Sequence, residues 1–456
     1  MSRKRLTRFI CSSCGWESSQ WFGICGSCSE WNTLEEVRIP QENQDKPHRA
    51  RLRRPGIDAH KPLSLSEISV SEADRMKIGM EELDRVLGGG MMPGSFILLG
   101  GDPGIGKSTL ALQCASMLAE QATLYVSGEE SLAQIRQRAH RLGIHSERLR
   151  VYAETEIMQI IETAQAENPG ILIIDSIQTV YHVALHSMPG TIAQIRECAA
   201  LLMQLAKQEK ITVIAIGHVT KDGDLAGPRI LEHMVDTVLQ FEGDKQSHHR
   251  ILRTLKNRFG PAQEVGIFEM DNDGLREVTN PSELFLSEFD PSVSGNAVVC
   301  AMEGTRPLLI EVQALVTPTS YGMPQRTASG FDHRRLSLLL AVLEKRCGWR
   351  FSEHDVFLNV AGGIKLTETA CDLGVASALV SSISGKAPGE PVVMIGEVGL
   401  GAEIRRVTQL VRRIEEAEAM GFRHAVVQQG FAEDREKIKI SAVRTIDDAL
   451  KKSGLK

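Results

Sequence analysis

Two groups of residues in this chain have the types and spacing to do chemistry. Cys11, Cys14, Cys25 and Cys28 form two CxxC pairs around a ten-residue spacer. Each CxxC turn aims two thiolates at one point, so two turns complete a tetrahedral Zn²⁺ site. Four thiolates leave no open coordination position, so this zinc would be structural. The second group is Gly101-Asp102-Pro103-Gly104-Ile105-Gly106-Lys107-Ser108, followed by Thr109. It follows an apolar run and opens a helical stretch, the context that gives GxxxxGKS its meaning. The glycines let successive backbone N–H groups face phosphates, and Lys107 reaches the β- and γ-phosphates. Ser108 ligates Mg²⁺, and the helix N-terminus adds its dipole. The expected ligand of residues 101–109 is a nucleoside triphosphate.

Acids at strand ends complete the expected site. Ile171-Leu-Ile-Ile-Asp175 is an apolar run closed by a carboxylate, which can hold the Mg²⁺ shell directly or through water. Tyr125-Val-Ser-Gly-Glu129-Glu130-Ser131 ends another run with two acids. One of them can polarise the attacking water, and the other can cap the helix starting near Ser131. Glu129 is favoured as the base.

These residues need rigid elements beneath them. Apolar runs at Phe96–Gly100, Thr123–Ser127, Leu149–Tyr152, Ile171–Asp175 and Ile211–Gly217 alternate with helical stretches near 108–120, 131–141, 156–168 and 190–210. That alternation implies a mainly parallel sheet covered on both faces. Val235–Glu242 and Arg250–Lys256 look like added strands joined through a polar turn. A second α/β region follows, with strands around 297–301, 308–316, 355–360 and 392–397, and helices near 331–346, 369–383, 407–420 and 446–451. The expected organisation is a four-cysteine ribbon at 1–37, a linker at 38–57, a nucleotide-binding domain at 58–280 and a C-terminal domain at 281–456.

The chain has 456 residues and a net charge of −6, so any nucleic-acid surface must be local. The best-defined basic run is Lys46, Arg49, Arg51, Arg53, Arg54 and Lys61, which reads equally as a solvated linker. No stretch has the length and apolarity to span a membrane, and no secretory leader is apparent. The five cysteines outside the ribbon sit scattered in apolar contexts, which fits a reducing cytoplasm. Trp16, Trp21, Phe22 and Trp31 are expected mostly to form the ribbon's small core, with stacking on bases as their other use.

Together these residues resemble the RecA/DnaB-type ATPases, in which a catalytic glutamate ends the strand after the phosphate loop, where Glu129 stands. Lys256-Asn-Arg-Phe-Gly260 narrows the match. KNRFG beside a four-cysteine ribbon and YVSGEES resembles the RadA (Sms) family of bacterial DNA-repair proteins along the whole chain. The resemblance implies ATP as the nucleotide and a DNA-dependent, helicase-like ATPase working on single-stranded and branched DNA by branch migration. It also implies partnership with the recombinase RecA and a homo-hexameric ring. Lys256 and Arg258, at a strand end with one residue between them, project to the same side and suit phosphate, from either a neighbouring subunit's nucleotide or DNA. The C-terminal region resembles the α+β proteolytic domain of Lon, but Asp372 and Val411 stand where its serine and lysine would be, so a non-proteolytic scaffold is expected. Arg405, Arg406, Arg412 and Arg413 are expected to give it a basic face. A Lon-type protease and a KaiC-like signalling ATPase are the alternative functions.

Overall fold

The computed structural model describes residues 7–11, 17–18, 20–26, 30–38, 75–118, 121–217, 229–243, 249–262, 264–320, 322–431 and 435–456. The N-terminal ribbon is a small antiparallel sheet of β1 (Thr7–Cys11), β2 (Glu17–Ser18) and β3 (Leu34–Arg38), ordered β2-β1-β3. Cys11 faces Leu34 across the β1–β3 pair. Cys11, Cys25 and Leu34 are buried, with Phe9 packed on them.

The expected aromatic core is corrected here. Trp21 is 54% exposed, Phe22 47% and Trp31 72%. The centre of so small a sheet is filled by the two thiols and Leu34. Trp21 instead lies across the edge, its indole N–H donating to the Leu34 carbonyl at 3.1 Å. Cys14, Cys28, Trp16, the basic run at 46–61 and the expected linker beyond Arg38 lie outside the described residues.

Packing divides the chain into two compact units, Met1–Gly79 with Gly89–Val238, and Met80–Gly88 with Leu239–Lys456. In the first, β4 (Phe96–Gly101), β5 (Thr123–Ser127), β6 (Leu149–Ala153), β7 (Ile171–Asp175) and β8 (Thr212–Ile216) run parallel in the order β4-β8-β7-β5-β6. β4, β5, β7 and β8 are buried throughout, as strands covered on both faces must be. The helices between them are α2 (Lys107–Met117), α3 (Leu132–Arg141), α4 (Ile157–Glu167) and α5 (Ile192–Glu209). Leu98, Val126, Ile174 and Ala215 of the strands share one core with Ile160 of α4 and Leu202 of α5. Asp236 fixes the start of β4, accepting the Phe96 N–H at 3.0 Å and pairing with Lys207 at 2.6 Å.

The second unit begins with an excursion of the chain. The short helix α1 (Glu81–Val86) precedes β4 in sequence yet packs among residues far along the chain. Its Glu82, 2% exposed, accepts the Ile267 N–H at 3.0 Å and pairs with Arg306 at 2.7 Å and Arg85 at 3.1 Å. A buried carboxylate survives only with such partners. Ile267 belongs to an antiparallel meander of β10 (His249–Asn257), β11 (Val265–Asp271) and β12 (Gly274–Glu277).

Beyond it lies a seven-stranded mixed sheet. It holds β13 (Asn296–Glu303), β14 (Arg306–Pro318), β15 (Arg326–Ser329), β16 (His354–Val360), β17 (Val392–Met394), β20 (His424–Gln428) and β21 (Lys439–Val443), ordered β15-β16-β14-β13-β17-β20-β21. The helices here are α8 (His333–Cys347), α9 (Asp372–Ser384), α10 (Leu410–Ala419) and α11 (Ile446–Lys452). Helix α10 begins at Leu410, three residues later than the apolar pattern suggests, because Gln409 takes a left-handed φ of 53°. Val265 and Ile267 of the meander lie in the same core as Phe285, Leu308 and Ile310. Residues 239–280 therefore pack with the C-terminal unit, whereas the expected boundary lay at 280/281. No helix among the described residues is long and apolar enough to cross a membrane.

Candidate active site

The phosphate loop joins β4 to α2, and its backbone fits an anion. Gly104 and Gly106 take φ of +79° and +119°, a region that L side chains avoid. Gly106 caps α2, and Lys107 is that helix's first residue. Ile105 is buried, whereas Asp102, Pro103 and Gly104 are exposed. Ser108 and Thr109 follow in the first turn, partly exposed. Lys107 is only 4% exposed, and its ammonium donates to the carbonyls of Gly101 at 2.8 Å and Asp102 at 2.9 Å. Burial pushes that ammonium below its ordinary pKa, while Asp175, Asp102 and Glu129 oppose the shift. A cation held by neutral carbonyls in a buried site, with carboxylates near, is ready to exchange those carbonyls for phosphate oxygens.

The acids come from two adjacent strands. β5 and β7 pair in parallel with Ser127 opposite Asp175, so both strands end at one level. Asp175 is 7% exposed, and its Oδ2 accepts the Tyr125 hydroxyl at 2.5 Å. Burial and the Asp175 charge push the Tyr125 pKa well up, so the phenol stays a donor. Glu129 Oε1 accepts the Ser176 hydroxyl at 2.5 Å. Glu130 is directed elsewhere: its N–H donates to Ser127 Oγ at 3.0 Å, and its carboxylate pairs with Arg138 of α3. Helix α3 needs neither acid as a cap, because Ser131 and Gln134 form a reciprocal capping box. The structure thus brings Lys107, Glu129 and Asp175 together and turns Glu130 away.

Lys256 and Arg258 belong to the other compact unit. Lys256 is half-buried in β10, and Arg258 is exposed just past the strand end. The remaining residues of KNRFG do structural work. Asn257 Nδ2 donates to the Leu87 carbonyl at 3.2 Å, and its Oδ1 accepts the Phe259 N–H at 3.0 Å.

In the C-terminal domain Asp372 is fully buried at the start of α9, bridged by the Arg335 guanidinium and accepting the Val398 N–H at 3.1 Å. Val411 is partly exposed on α10. Cys371 is buried, and burial pushes its thiol far above the ordinary range, which removes it as a nucleophile. The expected basic face is corrected at Arg413. That side chain is 0% exposed, makes two 2.6 Å bonds to Glu368, and donates to the carbonyls of Cys300 and Thr408. Arg405 is paired with Glu403 and Glu397, and Arg412 donates to the Thr305 carbonyl at 3.3 Å.

Comparison with known proteins agrees with these elements. Residues 60–224 match the AAA domain family, and residues 9–36 match the rubredoxin metal binding domain family. A "DNA repair protein RadA" of Bacillus subtilis strain 168 is 46% identical over 455 residues, covering 99% of both chains. Its namesake in Escherichia coli strain K12 is 45% identical over 458 residues, with the same coverage of both. The chain belongs to the RadA family of DNA repair proteins. Among solved structures, a RadB recombinase is 24% identical with a TM-score of 0.37, covering 44% of this chain and 99% of its own.

As a RadA-family chain the protein is a DNA-repair ATPase with an AAA-family core behind an N-terminal metal-binding ribbon. The residues present fit the groups this implies. Ser108 and Asp175 offer the hard oxygen donors that Mg²⁺ takes, and paired thiols of the Cys11 and Cys25 kind select zinc. Three polar partners escaped the sequence reading: Tyr125, Ser176 and Arg138. Tyr125 stands inside one strand-end motif, and Ser176 directly follows the other. Their only available signal was the parallel pairing that sets two strand ends side by side.

Proposed function

We propose that this protein is a DNA-dependent, helicase-like ATPase that drives branch migration of recombination intermediates in the cytoplasm. In this reading it works alongside the recombinase RecA as a homo-hexameric ring on single-stranded and branched DNA. The observation that carries the proposal is the convergence of Lys107 at the start of α2 with Glu129 and Asp175 at the ends of β5 and β7, in a chain of the RadA family. The working domains are the ribbon at 1–37, the ATPase domain at 58–280 and a non-proteolytic, Lon-like scaffold at 281–456. The Asp372–Arg335 bridge supports the last assignment, because a buried ion-paired acid is no acyl nucleophile.

Residues 101–109 cradle the triphosphate of ATP, with Lys107 on the β- and γ-phosphates. Ser108 and Asp175 hold Mg²⁺, which supplies charge neutralisation at the phosphates. Tyr125 keeps Asp175 oriented through its hydroxyl. Glu129, steadied by Ser176, takes the proton of a water as the water oxygen bonds to the γ-phosphorus and the bond to the bridging oxygen breaks. Lys256 and Arg258 act in trans, stabilising charge on the nucleotide of a neighbouring subunit. Cys11, Cys14, Cys25 and Cys28 hold the structural zinc.

The test is phosphate release with and without single-stranded DNA, followed by branch migration on a three-strand intermediate. Stimulation by DNA and ATP-dependent strand movement are expected. A turnover indifferent to every DNA form tested would refute the motor reading.

A further inference from the structure

The KNRFG segment contains a device that its charges do not account for. Asn257 uses both ends of its amide: Nδ2 holds the Leu87 carbonyl at the C-terminus of α1, and Oδ1 holds the Phe259 N–H that closes the turn around Arg258. One residue earlier, Thr254 Oγ1 donates to the Val86 carbonyl at 2.7 Å. At the same place Gly88 and Gly260 meet backbone to backbone. A Cβ on Gly88 would lie 3.2 Å from Gly260 Cα, and a Cβ on Gly260 would lie 3.0 Å from Asn257 Nδ2. A Cβ at either position would press on its neighbour more tightly than ordinary packing allows, and Gly88 also takes a φ of +76°. The end of α1 and the strand end carrying Lys256 and Arg258 therefore form one locked piece.

Immediately after Gly88 the chain passes through Gly89 and Gly90, with φ of +105° and +121°, and then leads into β4 and the phosphate loop. We infer that Asn257 is a positioning residue that ties the orientation of Lys256 and Arg258 to the chain segment entering the protein's own phosphate loop. A change at that loop is passed along the covalent chain through the three glycines to α1, and from α1 through Asn257 to the two cations. The inference deepens the proposed trans role of Arg258 and rests on it.

The test is a kinetic cycle on the full chain with Asn257→Ala, Arg258→Ala and the double variant, reading kcat, fluorescent-nucleotide affinity and thermal unfolding together. Asn257→Ala is expected to lower DNA-stimulated kcat by on the order of 10²-fold, the effect of misplacing a group by about 1 Å. Nucleotide affinity should stay within about twofold, since Lys107 and its loop are untouched. The double variant should lose far less than the product of the two single losses, because Asn257 acts through the two cations and one of them is already gone. A merely structural Asn257 would give additive losses, and that result overturns the inference. So does a fully active Asn257→Ala beside a defective Arg258→Ala, which leaves the trans role standing. A fully active Arg258→Ala removes the trans role and the inference with it. Gly88→Ala perturbs the same contact from the α1 side and should reproduce the kcat loss. Should Asn257→Ala fail to fold, Asn257→Asp keeps the acceptor for Phe259, loses the donor to Leu87, and carries the same comparison.

Discussion

The two adjacent acids at the end of β5 separate cleanly under substitution. Glu129→Gln and Glu130→Gln each exchange one carboxylate oxygen for an amide, so size and backbone stay constant. Glu129 lies with Lys107 and Asp175 and is oriented by Ser176. A positioned general base contributes about 10²–10⁴-fold to rate. At about 1.4 kcal/mol per decade that is roughly 3–5 kcal/mol on the barrier. Glu130 instead pairs with Arg138, with side chains 28% and 23% exposed. A pair so placed contributes about 0–1 kcal/mol to folding and nothing directly to the barrier. Glu129→Gln should therefore bind ATP normally and lose about 10²–10⁴-fold in kcat, while Glu130→Gln stays within about tenfold of the parent. Single-turnover phosphate release, with nucleotide affinity and thermal unfolding measured on the same samples, reads both. If Glu130→Gln is the dead variant and Glu129→Gln turns over normally, the reasoning from strand-end geometry is wrong.

Other expectations follow from single contacts. Lys107→Ala should weaken ATP binding and abolish hydrolysis, since a buried cation facing phosphate acts in both ground and transition states; an equilibrium titration showing parental affinity would count against it. Cys28→Ser should lose its zinc while the thermal transition of the ATPase unit persists, and full metal stoichiometry by elemental analysis would exclude the four-thiolate site. Glu368→Ala strands the buried Arg413 guanidinium and should cost about 3–5 kcal/mol in denaturant unfolding. Adding Arg413→Met should restore most of that loss, and a double variant no more stable than Glu368→Ala would show that Arg413 is not the group left unpaired.

Much of the nucleotide site was legible because its signals are local. The GxxxxGKS spacing, the apolar run closing on Asp175 and the acids after Ser127 each need only a short window of sequence, and parallel pairing sets their ends level. The contacts that orient those groups were not legible. Tyr125 to Asp175 and Ser176 to Glu129 join strands nearly fifty residues apart through side-chain directions that no spacing encodes. Arg413 misled for a related reason. On an amphipathic helix a run of arginines reads as solvated, and nothing local shows that Glu368 waits 45 residues upstream to be buried with it. The ribbon tryptophans misled through size: three strands of two to five residues have no interior wide enough for indoles once the thiols and Leu34 occupy it. Helix α1 gives no periodic signal because six residues span less than two turns.

The burial of Glu82 sets a rule for recombining this protein with its relatives. The acid sits in a short helix ahead of the phosphate loop, yet its partners Ile267 and Arg306 lie some 185 and 224 residues downstream. A hybrid gene spliced once, after Val238, would pair the helix of one parent with the β11 and β14 of the other. A mismatch at Glu82 or Arg306 leaves the other charge buried without its partner, so single-crossover hybrids should be poorly soluble. Hybrids that carry residues 80–88 together with 239–456 from one parent keep the acid and its partners together. Inheritance of the two halves is thus interleaved: the heritable block is discontinuous in the gene although continuous in space.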